Sequence, residues 1–180
     1  LRSPASLEAW IGLGSNLGDR EAHLRRAVER LAGLGILGRT SSLYETDPWG
    51  VPGQPPYLNA VVSLAPAAAD PRAFLAQLQR IEREAGRVPG PRWGPRWGPR
   101  PLDLDLLFWG DLRLKSADLT LPHPEIPGRR FVLVPLAEVA PDLIHPDSGL
   151  IISRLLELCP DSGAVRLWGR PDRLRHPDPT

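Results

Sequence analysis

The chain has 180 residues, 42% hydrophobic and 24% charged, which is enough for one globular domain with a sizeable core. A formal net charge of +1 excludes a protein that coats a polyanion, and the single cysteine, Cys159, excludes an intrachain disulfide or a thiolate zinc cluster. No apolar run approaches the ~20 residues of a membrane-spanning helix, and the start LRSPASLEAW has no apolar secretion signal, so a cytoplasmic protein without membrane or nucleic-acid partners is expected. The cations are almost all arginine, Lys115 being the only lysine. Arginine's planar fork binds phosphate oxygens in pairs, so a local anion site is favoured over a general one.

In chain order, Glu8 to Leu13 is a short apolar run that predicts a buried strand, followed by the turn GSNLGD. Asp19 is placed to cap a helix with Leu24, Ala27, Val28 and Leu31 at helical spacing, ended by Gly33 and Gly35. Leu37 to Glu45 and Tyr57 to Leu64 predict strands, joined by the loop DPWGVPGQPP. Asp70-Pro71 opens a second helix with Phe74, Leu75, Leu78 and Ile81 on one face, stopping near Gly86. A loop over Val88 to Pro101 leads to a strand over Leu102 to Trp109. Arg130 to Val139 predicts a helix despite Pro135, and Ile151 to Leu158 another. The prediction is a single domain over 1–168 and a loose tail over 169–180. The order matches the split-βαβ, ferredoxin-like pattern: an α+β fold with an antiparallel sheet, helices packed on one face, and the other face and long loops left for ligands.

The chemistry concentrates in RWGPRPLDLD, Arg96 to Asp105. Asp103 and Asp105, two apart on a strand, point to the same face about 6–7 Å apart along the chain. Paired carboxylates can hold Mg²⁺, and Arg96 and Arg100 beside them can hold phosphate, which points to transfer of a phosphoryl group from a Mg-nucleotide. The unit RWGP occurs twice in this loop, offering Trp93 and Trp97 as alternative aromatic caps. Tyr57 and Asn59 suit a planar hydrogen-bonding heterocycle, although core packing accounts better for Tyr57 taken by itself. IGLGSNLGDR lacks the Lys-Ser/Thr of a P-loop and the spacing of G-x-G-x-x-G, and reads as a strand-to-helix turn with no nucleotide implied. A nucleotidyltransferase with paired carboxylates and a sheet that stacks RNA bases are the rival readings; in the second, the two aspartates would repel a phosphate backbone.

IGLGSNLGDR, YETDPWG with YLNAVV, RIEREAGR, RWGPRPLDLDLLFWGD and LTLPHPEIPGRRFVLVPLAEVAPDL together resemble, in this order, the 6-hydroxymethyl-7,8-dihydropterin pyrophosphokinase family. The similarity runs from about Ala9 to about Ser148. It implies a monomeric, ferredoxin-like enzyme of folate biosynthesis that moves a diphosphate from ATP to the pterin's hydroxymethyl oxygen and releases AMP. It further implies two Mg²⁺ ions on Asp103 and Asp105, and catalytic arginines Arg87, Arg96 and Arg100. Gln79, Glu82, Arg100, Leu106, Thr120, His123 and Arg129 would then meet ATP. The pterin would lie between Tyr57 and Phe131, with Thr46, Pro48, Trp49, Asn59 and Trp97 around it. Pro101, Asp118 and Pro124 depart from the family pattern.

Overall fold

A computed structural model describes residues 7–48, 53–87 and 99–174. Strand β1 (Ala9–Ser15) lies inside the sheet, with a partner on each side, and is buried on both faces, which explains its lack of clean alternation. Helix α1 (Arg20–Ala32) follows, with the Asp19 side chain accepting from the Ala22 amide at 3.0 Å. The predicted strand over 37–45 is two strands, β2 (Gly35–Thr40) and β3 (Leu43–Thr46). They divide at Ser41-Ser42, where the regular pairing breaks although the Ser41 amide still donates to the Val61 carbonyl at 2.9 Å. Ser41 Oγ accepts from the Val61 amide at 2.9 Å, while the Ser42 amide and hydroxyl donate to Glu138 at 2.8 Å each. Strand β4 (Tyr57–Pro66) pairs with β1, β2 and β3.

Helix α2 (Pro71–Glu84) begins as the sequence predicts: Asp70 accepts from the Arg72 amide and Pro71 supplies the first turn. Strand β5 (Asp103–Trp109) returns along β1, and a small hairpin of β6 (Leu114–Lys115) and β7 (Thr120–Leu121) follows. Helices α3 (Arg130–Val139) and α4 (Ile152–Leu158) come next, then strand β8 (Val165–Gly169). Pro135 removes one backbone donor from α3, and burial of Val132, Leu133 and Leu136 holds the helix in place. The main sheet runs β5-β1-β4-β3-β8, with β2 also on β4, and every pairing is antiparallel.

Helices cover both faces of this sheet, which corrects the expectation that they pack on one. Ile11, Leu13, Leu58 and Leu104 meet α1 and α2 on one side. On the other side Trp10, Val61 and Phe108 meet α3 and α4. A bulge in β5 serves the second face: Ile11 pairs with Leu106 but Trp10 with Phe108, so Leu107 and Phe108 both reach that cluster. The α3–α4 layer stops short of one end of the sheet, and this bare end is where ligands can enter.

The expectation of a loose tail from 169 is also corrected over its first part. Gly169 closes β8, a 3₁₀ turn spans Pro171–Leu174, and Leu174 is fully buried in the core that contains α1. Residues 175–180 lie outside the described residues. Among the described residues no helix is long and apolar enough to cross a membrane.

Candidate active site

The open end of the sheet inherits its chemistry from strand register. Asp103 of β5, Gly14 of β1 and Asn59 of β4 stand side by side across three strands, and Asp105, Gly12 and Val61 form the next row. The two glycines leave β1 without side chains between the aspartates and Asn59. A Cβ at Gly14 would lie 3.4 Å from Asn59 Oδ1, 3.7 Å from the Tyr57 ring and 3.8 Å from Asp103 Cβ. The gap so kept is the floor of a cleft open to solvent. Tyr57 and Phe131 give it aromatic walls, Arg100 and Arg129 give it positive charge, and Thr46 closes one side. Asn59 is buried and donates to Thr46 Oγ1 at 2.7 Å, which fixes the side chain and leaves its carbonyl oxygen as an acceptor toward the cleft floor.

A second, more open cleft wraps the outer edge of β5. Gln79 from α2, Leu106, Thr120 and His123 line it. Asp105 lines both clefts, so the two cavities meet at this carboxylate.

Charge is arranged in a chain around the junction. Arg87 Nη1 and Arg100 Nη1 both donate to Asp103 Oδ1, at 2.7 and 3.1 Å. Arg87 also pairs with Glu82, whose Oε1 accepts from the Leu104 amide at 2.8 Å. Burial pushes the Glu82 carboxyl up to about 7, against the pull of the Leu104 amide and Arg87. Asp105 pairs with Arg129 at 3.4 Å, and burial followed by repulsion from Asp103 holds its carboxyl above the usual range. Burial lowers the His123 imidazole and raises the Tyr57 phenol, in each case disfavouring the charged form. Arg129 keeps a buried Nε–H with no acceptor among the described residues, a donor available to an incoming anion.

Of the residues singled out in the sequence, Thr46, Tyr57, Asn59, Phe131, Arg100 and Arg129 converge on the first cleft with both aspartates. Gln79, Leu106, Thr120 and His123 share the second. Glu82 stands apart, buried under β5 and turned toward Leu104 and Arg87. Pro48 is half-buried just beyond Asp47, which lines the first cleft. Trp49, Arg96 and Trp97, with Trp93, lie outside the described residues.

Asn16 is a residue that the reading of GSNLGD as a plain turn misses. It is buried; its Oδ1 accepts from the Arg100 amide at 2.8 Å, and its Nδ2 donates to Gln54 Oε1 and the Pro55 carbonyl at 3.1 and 3.3 Å. It thus joins the loop before Tyr57 to the loop before Asp103. The available signal was the amide itself, which bonds backbone in turns.

Among the described residues no three His, Cys, Asp or Glu side chains cluster as a self-sufficient metal site. Asp103 and Asp105 nonetheless fit Mg²⁺, which is commonly held by one or two carboxylates with phosphate oxygens completing its shell. The raised carboxyl of Asp105, close to a second carboxylate, is the electrostatic arrangement that a cation relieves.

The family model for 7,8-dihydro-6-hydroxymethylpterin-pyrophosphokinase (HPPK) matches residues 10–141. The chain is 45% identical over 151 residues to the 2-amino-4-hydroxy-6-hydroxymethyldihydropteridine pyrophosphokinase of Synechocystis, covering 83% of this chain and 74% of that one. It is 40% identical over 163 residues to the protein of the same name from Haemophilus influenzae, covering 89% and 98%. Among solved structures the fold is similar to Plasmodium falciparum HPPK-DHPS A437G with pteroate, at a TM-score of 0.65 and 15% identity. That alignment covers 86% of this chain and 44% of the other, so the present chain spans less than half of the Plasmodium protein.

Proposed function

The chain belongs to the 7,8-dihydro-6-hydroxymethylpterin-pyrophosphokinase family, and from that premise we propose that its two clefts are the acceptor and nucleotide sites of one diphosphate transfer. The enzyme carries the diphosphate of ATP to the hydroxymethyl oxygen of 6-hydroxymethyl-7,8-dihydropterin, giving AMP and the pterin diphosphate for folate synthesis. The observation that carries the assignment is the meeting of both clefts at Asp105. Among the described residues Asp105 is the one lining residue that the two clefts share, so an acceptor in one and a triphosphate in the other are brought together there.

In this reading the pterin ring lies between Tyr57 and Phe131, and Asn59 and Thr46 bond its edge. Trp49, Pro48 and Trp97 are assigned to the same ring by resemblance. ATP occupies the second cleft against Gln79, Leu106, Thr120 and His123. The hydroxymethyl oxygen attacks the β-phosphorus, the bond from that phosphorus to the α-phosphate oxygen breaks, and AMP leaves. The hydroxyl proton passes to solvent or a phosphate oxygen. No strong base is required, because positioning and charge neutralisation supply most of the rate in such transfers. Arg100, Arg129 and Arg87, with Arg96 from the same loop, supply that neutralisation. Glu82 acts one step back, orienting Arg87 through their ion pair. Asp103 and Asp105 would hold two Mg²⁺ ions, which when bound offset phosphate charge.

The strand order β5-β1-β4-β3, with α1 and α2 on one face, supports the ferredoxin-like assignment, and α3, α4 and β8 are additions to it. The expectation of a monomer rests on the family resemblance. Asp103→Asn and Asp105→Asn should each lower turnover by about 10²-fold or more. Pterin affinity, followed by ligand fluorescence, should persist in both. Near-full Mg-dependent turnover in either variant contradicts the assignment.

A further inference from the structure

Arg20 is the first residue of α1, at the positive end of the helix dipole, where a cation is disfavoured. Its side chain is only 19% exposed, so contacts outside the helix hold it there. Its Nη1 donates to the Pro56 carbonyl at 2.8 Å and pairs with Glu45 Oε2 at 2.9 Å. Pro56 immediately precedes Tyr57, and Glu45 immediately precedes Thr46. Tyr57 and Thr46 are themselves register partners at the open end of β4 and β3, and both line the first cleft. A single guanidinium therefore joins the two strand ends one residue before the side chains that face the acceptor.

The C-terminal segment closes over this junction. Strand β8 pairs with β3, Val165 opposite Thr46, and carries Trp168 onto the Arg20 guanidinium, 5.0 Å from the ring centroid. The indole N–H donates to Glu21 at 3.3 Å, and Arg173 holds the same carboxylate at 3.0 Å. Trp168 is 46% exposed, a large aromatic on an outer strand with little apolar packing. Its contact with Arg20 gives that placement a use. The segment lies beyond the residues that the family model matches.

We infer that Arg20, held by Trp168, is a positioning residue that sets Thr46 and Tyr57 for the pterin. The inference rests on the assignment of the first cleft to the pterin. It says that the C-terminal strand belongs to the acceptor site as a brace, acting through Arg20 and never touching substrate. The second cleft, formed at the far edge of the sheet by α2, β5 and β7, is independent of the brace.

The test measures equilibrium binding of two probes to the full chain: 6-hydroxymethylpterin, and the Mg²⁺ complex of α,β-methylene-ATP. Arg20→Ala keeps a good helix former in α1, and Trp168 is half-exposed, so neither Arg20→Ala nor Trp168→Ala removes core packing. Each should raise the Kd for the pterin about fivefold, the scale of an exposed cation–π contact or ion pair. The Kd for the nucleotide should stay within about twofold. Trp168→Phe, which keeps an aromatic face, should restore most of the pterin affinity. The double variant should be no weaker than Arg20→Ala alone, because Trp168 acts through Arg20. Unchanged pterin affinity, equal loss of both probes, or additive effects in the double variant each overturn the brace. An unaltered chain that binds the nucleotide but not the pterin overturns the cleft assignment itself, and the brace with it.

Discussion

Glu82 holds Arg87 and the Leu104 amide without lining either cleft. Its carboxylate lies beneath β5, where burial raises it from an ordinary 4.5 to about 7 while the Leu104 amide and Arg87 pull the other way. Between those two values the folded chain retains a proton that the unfolded chain has released. The Glu82 contribution to stability is therefore greatest below 4.5 and is lost as pH rises through about 7. Glu82→Gln keeps an acceptor for the Leu104 amide and cannot ionise. Urea unfolding of both proteins across this range should show their difference moving steadily in the variant's favour as pH rises; a difference that does not change with pH contradicts the buried acid. The same scale shows what could be read in the sequence. Asp103 and Asp105 were legible because a period of two on a strand needs no tertiary information. Asn16 was not, since its value lies in joining two loops 38 and 84 residues further along the chain.

At the scale of elements, α1 and α2 were legible from cap residues and helical spacing: Asp19 and Asp70 cap them, and Leu24, Leu31, Phe74 and Leu78 are buried as the pattern requires. The split of β2 from β3 was hidden because Ser41 and Ser42 read as polar strand positions, and only Val61 and Glu138 turn them aside. Strand β8 was hidden for a related reason. It is five residues between glycine and proline, and Leu167 and Trp168 are adjacent and both exposed, so no apolar alternation marks it. Its packing has a direct consequence. Leu174, just beyond β8, is fully buried, so Leu174→Ala should cost about 2–5 kcal/mol of stability in urea unfolding. An unchanged midpoint would return this segment to the status of a loose tail.

For the molecule as a whole, function follows from where cover is missing. The sheet is sealed on one face by α1 and α2 and on most of the other by α3 and α4, and the uncovered end of that second face holds the aspartates, two glycines and Asn59. The second cleft lies around the free edge of β5, so Asp105 belongs to both. Sequence motifs located the residues, but the division into two clefts depends on β5 being an edge strand, which only the topology establishes. The most direct measurement is a product analysis with Mg²⁺, 6-hydroxymethyl-7,8-dihydropterin and ATP labelled at the β-phosphate. Label should appear in the pterin diphosphate, with AMP formed in equal amount. Label released as free pyrophosphate with AMP joined to the acceptor, or retained in ADP, would contradict a diphosphate transfer at the junction of the two clefts.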